Sequence, residues 1–402
     1  MSNEPESTSA RYLENLNASQ RIEFVFDLVE KILSEMGVAD VRSDAVVIAS
    51  AIGDGTALVN DSDGFARFND KFSTETGCLP YAREDVASLT VQQFCQMYLD
   101  DSYPEFPRAP LPDEHCRFRG RGGFGAGDGA EQEFPIGFVL GCPRSGTTLL
   151  RTMLNMHDQI WAPGELNMAH FANMADRSKM ILPMMRYSIL DECASRLNES
   201  ISSFPEMFKA WERDALPVTE IYRKFYEAEP NTLIVDKSPA YSVFFEDLEV
   251  IGKRFANAKF IHIVRNPHDM IRSFVKLRMY KNASGLFEPG LSPYQMGEVF
   301  WVAHNSNIIQ FLSQIPNERK CMLRYEDLVS DPAKQLTKIC DLLELPYDPK
   351  MADPYGKGTG PVALGASDVH INHFERIEHR RPNKAFYPVG TRCKDLAQNF
   401  GY

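Results

Sequence analysis

The sequence predicts an α/β protein whose core is a doubly wound parallel sheet, preceded by a small helical domain. Two observations lead to this fold class. From about residue 134 onward, short apolar runs typical of strands alternate with helical patterns, and such alternation favours a parallel sheet with helices on both faces. Before residue 104, apolar residues recur at helical spacing instead.

The helical domain is predicted to span residues 20–103, after a flexible polar N-terminus at residues 1–19. In its first half, apolar side chains repeat at helical spacing. Asp61 and Ser62 resemble the Asp-Ser pair that opens the second helix of acyl carrier domains, but Asp63 replaces the apolar residue that follows the pair there. The domain is therefore predicted to be a plain helical cap or a degenerate carrier-like domain.

Residues 104–133 are predicted to be a linker, because prolines and then glycines dominate this segment. Residues 134–402 are predicted to form the sheet domain. Its predicted strands are residues 134–140, 233–235, 259–264 and 321–324. Helices are predicted at residues 147–157 and 332–345, where apolar residues share one face.

Composition excludes several kinds of partner. The chain has 402 residues and a formal net charge of −12, which argues against binding to nucleic acid or to an anionic membrane. No apolar run approaches the roughly 20 residues that span a bilayer, and the eight cysteines are scattered without metal-site or disulfide spacing. We therefore expect a cytoplasmic protein that uses no metal.

The most informative segment joins the first predicted strand to the first predicted helix of the sheet domain. It has the spacing of a Walker A loop, from Gly141 to Thr148, but Thr147 stands where that motif has lysine. Amides of such a turn and the positive end of the next helix converge on an anion. Without the lysine, a single 5′-phosphate carrying a short extra group fits better than a nucleoside triphosphate. The predicted phosphate ligands are Arg144, Ser145, Gly146, Thr147 and Thr148.

Three further segments follow predicted strands. Arg265 ends the strand at 259–264, and Ser273 follows about two helical turns later. Lys237 lies just after the strand at 233–235, and Tyr325 just after the one at 321–324. Because open α/β sheets bind ligands at the carboxyl ends of their strands, we expect these side chains near the same ligand.

These segments together resemble the PAPS-dependent sulfotransferases, PAPS being 3′-phosphoadenosine-5′-phosphosulfate. The run Pro143-Arg-Ser-Gly-Thr-Thr is similar to their 5′-phosphosulfate loop, and the motifs are most similar to the tyrosylprotein and polyketide-type branches. The resemblance implies PAPS as co-substrate on a fold related to nucleotide kinases. It also implies that Arg265 and Ser273 hold the 3′-phosphate and that Tyr325 lies near the adenine.

The resemblance also indicates the catalytic residues. A glutamate at the distance of Glu165 from the loop serves as general base in those branches, while Lys237 and Arg144 are suited to stabilise charge that builds on the bridging oxygen. As alternatives, Glu165 could cap a helix predicted at residues 167–175, and His157 and His170 are rival bases.

Two other functions remain open at this point. One is a kinase-like phosphotransferase, with Asp236 as a candidate Mg²⁺ ligand; the other is a non-catalytic nucleotide-binding scaffold. For a sulfotransferase, the predicted acceptor is a hydroxyl or amine of a small molecule or natural product, free or tethered to a carrier. Basic residues between positions 365 and 381 are further candidates for the 3′-phosphate. Neither the acceptor nor the oligomeric state follows from the sequence.

Overall fold

The structure is a computed structural model that describes residues 27–29, 31–35, 71, 111–119, 134–180, 189–354 and 388–402. It divides the chain into two compact units, one of residues 1–107 and 273–282, the other of residues 108–272 and 283–402. The carrier-like segment around Ser62 and the basic segment at 365–381 lie outside the described residues.

In the first unit, residues 27–29 and 31–35 are helical. The apolar side chains predicted to share a helix face are buried, namely Leu28, Val29, Ile32 and Leu33. The helical periodicity predicted for this stretch is therefore confirmed.

The second unit contains a five-stranded sheet in which every pairing is parallel. Its strands are β1 (Ile136–Leu140), β2 (Ile160–Trp161), β3 (Leu233–Lys237), β4 (Lys259–Val264) and β5 (Lys320–Arg324). Their order across the sheet is β2-β3-β1-β4-β5. The predicted parallel sheet is confirmed, with one addition: the sequence analysis missed β2, because two residues are too few to show a strand pattern.

The α-helices of the described residues are α1 (Thr147–Leu154), α2 (Met174–Met180), α3 (Leu190–Arg196), α4 (Phe204–Arg213), α5 (Val218–Ala228), α6 (Phe245–Arg254), α7 (Pro267–Lys276), α8 (Met279–Asn282), α9 (Pro293–Leu312), α10 (Tyr325–Ser330), α11 (Pro332–Leu343) and α12 (Thr391–Asn399). None of them is long and apolar enough to cross a membrane.

Helices cover both faces of the sheet, as a doubly wound fold requires. Side chains that alternate along a strand enter different cores: Phe138 packs with Phe255 and Phe260 on one face, whereas Val139 belongs to the core that α1 and α11 close on the other. All five residues of β1 are buried, because this central strand is covered on both sides.

The strand order also locates the ligand-binding edge. From β1 the chain first builds one half of the sheet, through β2 and β3, and then crosses to the other half, through β4 and β5. At such a switch point, a crevice opens beyond the carboxyl ends of the central strands. The loops that follow β1, β3 and β4 therefore meet at one edge.

Helix α9 was not predicted from the sequence. It begins with a capping box, in which the Ser292 side chain accepts from the Gln295 amide and the Gln295 side chain accepts from the Ser292 amide. Most of its 20 residues are buried, including polar ones such as His304 and Asn305. A helix buried on nearly every side has no polar face, so it lacks the amphipathic pattern that reveals surface helices.

Part of the predicted linker packs on the second unit. Within residues 111–119, Leu111, Cys116 and Phe118 are buried, and the Phe118 ring lies 5.4 Å from that of Phe300. This stretch is therefore anchored by apolar contacts, while the linker predicted for residues 104–133 stays a prediction.

Candidate functional site

The loop between β1 and α1, residues 141–146, is shaped by its backbone; we call it the phosphate loop. Arg144 and Gly146 have positive φ angles of 70° and 86°, a combination that turns successive amides toward one side. A Cβ on Gly146 would lie 2.3 Å from Cδ2 of Tyr325, and a Cβ on Gly141 would lie 2.7 Å from the Ile263 carbonyl oxygen. Glycine is therefore required at both ends of the loop.

The phosphate loop and the first turn of α1 present donors suited to an anion. The Ser145 side chain is fully buried, and its hydroxyl has no hydrogen-bond partner within the described residues. Thr147 and Thr148 begin α1, where backbone amides are not used by the helix itself. Buried donors without acceptors are costly. The loop therefore fits a phosphate group, and Thr147 stands where a triphosphate-binding loop has its lysine.

The end of β4 adds a cation to this loop. Arg265 donates from Nη1 to the Arg144 carbonyl oxygen at 3.0 Å, and its guanidinium lies 4.6 Å from the centre of the Tyr325 ring. Its Nε has no hydrogen-bond partner within the described residues. The structure thus brings together Arg144, Arg265 and Tyr325, as predicted, although their roles toward a nucleotide remain predictions.

Ser273 lies in α7, as the spacing predicted. The last four residues of this helix belong to the first compact unit, whereas Arg265 belongs to the second. The assignment of Ser273 to a phosphate therefore stays a prediction.

Lys237 and Glu165 form an ion pair at the sheet edge. The Lys237 Nζ lies 2.8 Å from Glu165 Oε1, and 2% and 17% of the two side chains are exposed. Lys237 ends β3 directly opposite Val139 of β1, so it lies one strand away from the start of the phosphate loop. A buried ammonium and a carboxylate that keeps some access to solvent are therefore held beside the predicted phosphate site.

Glu165 belongs to residues 162–169, which we call the Glu165 loop. The helix predicted at 167–175 is wrong: Asn167 has a φ of 49°, and helix α2 begins only at Met174. The amide of Asn167 donates to the Ser238 hydroxyl at 3.0 Å, and the amides of Met168 and Ala169 donate to the Tyr241 hydroxyl. These bonds replace a helical pattern, so Glu165 does not cap a helix.

Asp236, the candidate Mg²⁺ ligand of a kinase, is committed elsewhere. It is fully buried and accepts hydrogen bonds from the hydroxyls of Tyr222, Tyr241 and Ser238. Burial raises its pKa, while these hydroxyl donors act in the opposite direction. Asp236 therefore anchors Ser238 and Tyr241, the two residues that hold the end of the Glu165 loop.

The two other candidate bases, His157 and His170, lie in surroundings that do not favour a role as general base. His157 Nε2 contacts the Pro346 carbonyl oxygen at 2.9 Å, and its Nδ1 accepts from the Gln159 amide. His170 is buried; its burial, with Arg254 and Arg177 nearby, lowers its pKa to about 3. A histidine of such low pKa is a weak general base near neutral pH, and the role of Glu165 as base stays a prediction.

Helix α9 supports three loops of this edge at once. The Phe300 carbonyl oxygen accepts from the Cys142 thiol, the Trp301 indole donates to the Arg265 carbonyl oxygen at 2.8 Å, and His304 Nδ1 lies 2.7 Å from the Ser242 hydroxyl. The loops after β1, β4 and β3 therefore share one support.

Sequence reasoning missed the residues that anchor the start of the Glu165 loop, namely Arg151, Asn155 and Glu192. Arg151 is 3% exposed, but the residues one turn away on α1 include Thr147, Thr148 and Asn155, so the sequence does not mark it as a buried side chain. Its partner Glu192 lies 41 positions away, and nothing in the sequence pairs the two residues.

Comparisons with known proteins agree with this geometry. The profile of the sulfotransferase family matches residues 135–349. Protein-tyrosine sulfotransferase A of Caenorhabditis elegans is 24% identical over 229 residues, which cover 56% of this chain and 53% of the relative. The protein-tyrosine sulfotransferase of Drosophila melanogaster is 27% identical over 218 residues, covering 54% and 39%. The chain thus spans about half or less of the length of these two relatives.

Solved structures match over a larger share. The sulfotransferase domain from the curacin biosynthetic pathway is 32% identical, with a TM-score of 0.62 over 68% of this chain and 99% of that domain. The sulfotransferase domain from the Synechococcus PCC 7002 olefin synthase is 29% identical, with a TM-score of 0.60 over 69% and 98%. The parallel sheet, the lysine-free phosphate loop and these matches lead to one conclusion: the chain belongs to the sulfotransferase family.

Proposed function

We propose that this sulfotransferase moves the sulfonate group of PAPS to a hydroxyl or amine of a small-molecule or natural-product acceptor, free or tethered to a carrier. The observation that supports this most directly is the Lys237–Glu165 pair, 2.8 Å apart, one strand away from a phosphate loop without lysine. A base and a cation beside a single-phosphate site are what sulfonyl transfer from PAPS requires.

In the proposed reaction, the acceptor oxygen or nitrogen forms a bond to sulfur as its proton passes to the Glu165 carboxylate. The bond between sulfur and the bridging oxygen breaks, and its electron pair remains on the 5′-phosphate of the product, 3′-phosphoadenosine-5′-phosphate (PAP). Lys237 and Arg144 are the cations suited to stabilise that charge, together with amides of the phosphate loop. Ser145, Gly146, Thr147 and Thr148 would hold the 5′-phosphate.

Arg265 is proposed to bind the 3′-phosphate, and Tyr325, whose ring packs on Gly146 and Arg265, to border the adenine. The kinase-like alternative is disfavoured because Thr147 replaces the lysine and Asp236 is saturated by hydroxyl donors. The proposed acceptor class is supported by the names of the two solved domains, which come from a biosynthetic pathway and an olefin synthase.

Isothermal titration calorimetry with PAP tests the donor, with ATP and adenosine as comparison ligands. We expect selective binding of PAP that weakens at least about tenfold in Arg265→Ala, since a charge-assisted phosphate contact is lost. Arg319→Ala is the matched control, because Arg319 precedes β5 at the opposite edge of the sheet. Equal affinity for ATP, or no affinity for PAP, would overturn the proposal.

A further inference from the structure

The start of the Glu165 loop has no regular secondary structure, yet its backbone is bound on both sides. At Ala162, the amide donates to Asn155 Oδ1 at 2.7 Å, and the carbonyl oxygen accepts from Asn155 Nδ2 at 2.6 Å. The same carbonyl oxygen accepts from Arg151 Nε at 2.9 Å. The backbone of this one residue, three positions before Glu165, is thus held by two side chains.

A second hydrogen bond holds the backbone one residue before Glu165. The Gly164 amide donates to Glu192 Oε2, and Glu192 Oε1 accepts from Arg151 Nη2 at 2.6 Å. Arg151 is 3% exposed and Glu192 16%. Burying this ion pair costs desolvation energy that the pair alone rarely recovers. The two side chains of this ion pair also make hydrogen bonds to the backbone of the Glu165 loop, and these bonds hold the loop in place.

Two of the three side chains, Arg151 and Asn155, connect the Glu165 loop to the phosphate loop directly, and Glu192 does so through Arg151. Arg151 lies on α1 and Asn155 is its C-terminal cap, while the N-terminus of α1 is the end of the phosphate loop. An eight-residue helix spans only about 12 Å, so it behaves as a short rigid connection. The helix whose N-terminus would bind the 5′-phosphate therefore also fixes the position of Glu165.

We propose that Asn155, Arg151 and Glu192 form a clamp that positions Glu165 relative to the donor phosphate. This inference rests on the proposed role of Glu165 as general base. A base acts only within hydrogen-bond reach of the proton it takes, and misplacement by about 1 Å costs orders of magnitude in rate. These are positioning residues: none of them has to touch PAPS or the acceptor.

The clamp can be broken without unfolding the protein. Asn155 is exposed, so Asn155→Ala removes two loop contacts at little cost in packing. Glu192→Gln removes the charge but keeps a similar shape. The matched control is Glu229→Gln, which removes the charge of a second Arg–Glu pair, between Arg196 of helix α3 and Glu229 at the end of helix α5. Thermal melting would verify that all three variants are folded.

Three measurements distinguish positioning from general support. In Asn155→Ala and Glu192→Gln, we expect the Kd for PAP to stay within about twofold of wild type. We expect PAP release from PAPS, with water or a simple alcohol as acceptor, to slow at least about tenfold. Hydrogen exchange should rise in a peptide covering residues 160–168. In Asn155→Ala the amide of Ala162 loses its acceptor, and in Glu192→Gln a single carboxamide oxygen cannot serve both Arg151 and the amide of Gly164. Glu229→Gln should change none of these.

Wild-type rates of PAP release in both clamp variants would overturn the proposal, as would an equal loss in Glu229→Gln or a parallel loss of PAP affinity. Failure of the proposed function looks different: the wild-type protein itself would neither bind PAP nor release it from PAPS. Hydrogen exchange would still report in that case, and unchanged exchange at residues 160–168 would reject the clamp.

Discussion

The phosphate loop and the Glu165 loop lie at the same edge of the sheet but are held in different ways. In the phosphate loop, two residues with positive φ, Arg144 and Gly146, set the shape of the backbone. The Glu165 loop depends on side chains from distant segments, including Glu192 and Tyr241. A loop of the first kind can be recognised from contiguous residues, whereas one of the second kind becomes visible only in the folded chain.

Glu165→Gln is expected to have the largest effect on turnover. It tests whether the Glu165 loop takes part in the reaction without contributing to PAP binding. Glutamine can still accept from Lys237 but cannot take a proton, so turnover should fall about a thousandfold. The phosphate loop is untouched, and the Kd for PAP should stay within about twofold of wild type. Single-turnover rates and calorimetry measure the two quantities separately. A parallel loss of PAP affinity would show that the two loops are not separable.

Gly146→Ala tests the phosphate loop, whose shape depends on its backbone. Alanine would be strained at a φ of 86° and would overlap the Tyr325 ring, so the loop must move. We expect the Kd for PAP to rise about a hundredfold, or about 3 kcal/mol. Gly137→Ala in β1 is the control, because its Cβ would meet Leu343 at an ordinary 3.4 Å. Unchanged PAP binding in Gly146→Ala would refute the backbone account of this loop.

Tyr241→Phe is expected to have the smallest effect on function. It tests whether side chains from distant segments hold the Glu165 loop. The hydroxyl donates to Asp236 at 2.6 Å and accepts from the amides of Met168 and Ala169. Its removal leaves buried polar groups unsatisfied, and we expect a loss of about 3 kcal/mol in the free energy of unfolding. Turnover should fall about tenfold with little change in PAP affinity. Chemical denaturation measures the first quantity.

The control for that experiment is Tyr226→Phe, since the Tyr226 ring stacks on Phe134 and is only partly buried. It should change stability by less than about 0.5 kcal/mol. Equal effects of the two substitutions would mean that the Tyr241 hydroxyl does not hold the Glu165 loop.

The same contrast explains what could be predicted from sequence. The strands β1, β3, β4 and β5 and the phosphate loop are local patterns, and each lies within a few residues of its predicted position. The helix expected at residues 167–175 failed because tertiary acceptors, the hydroxyls of Ser238 and Tyr241, claim the amides that a helix would use. Propensity is a weak guide where such bonds compete. Arg151 and Glu192 meet only through the fold.

Helix α9 limits where the chain can accept an inserted residue. It touches the loops after β1, β4 and β3 through Phe300, Trp301 and His304, which lie within about one turn of helix. Inserting one residue between Trp301 and His304 would rotate everything beyond it by about 100°. Such a change would disturb one loop while another stayed in place. The length of this segment of α9 is therefore not free to vary.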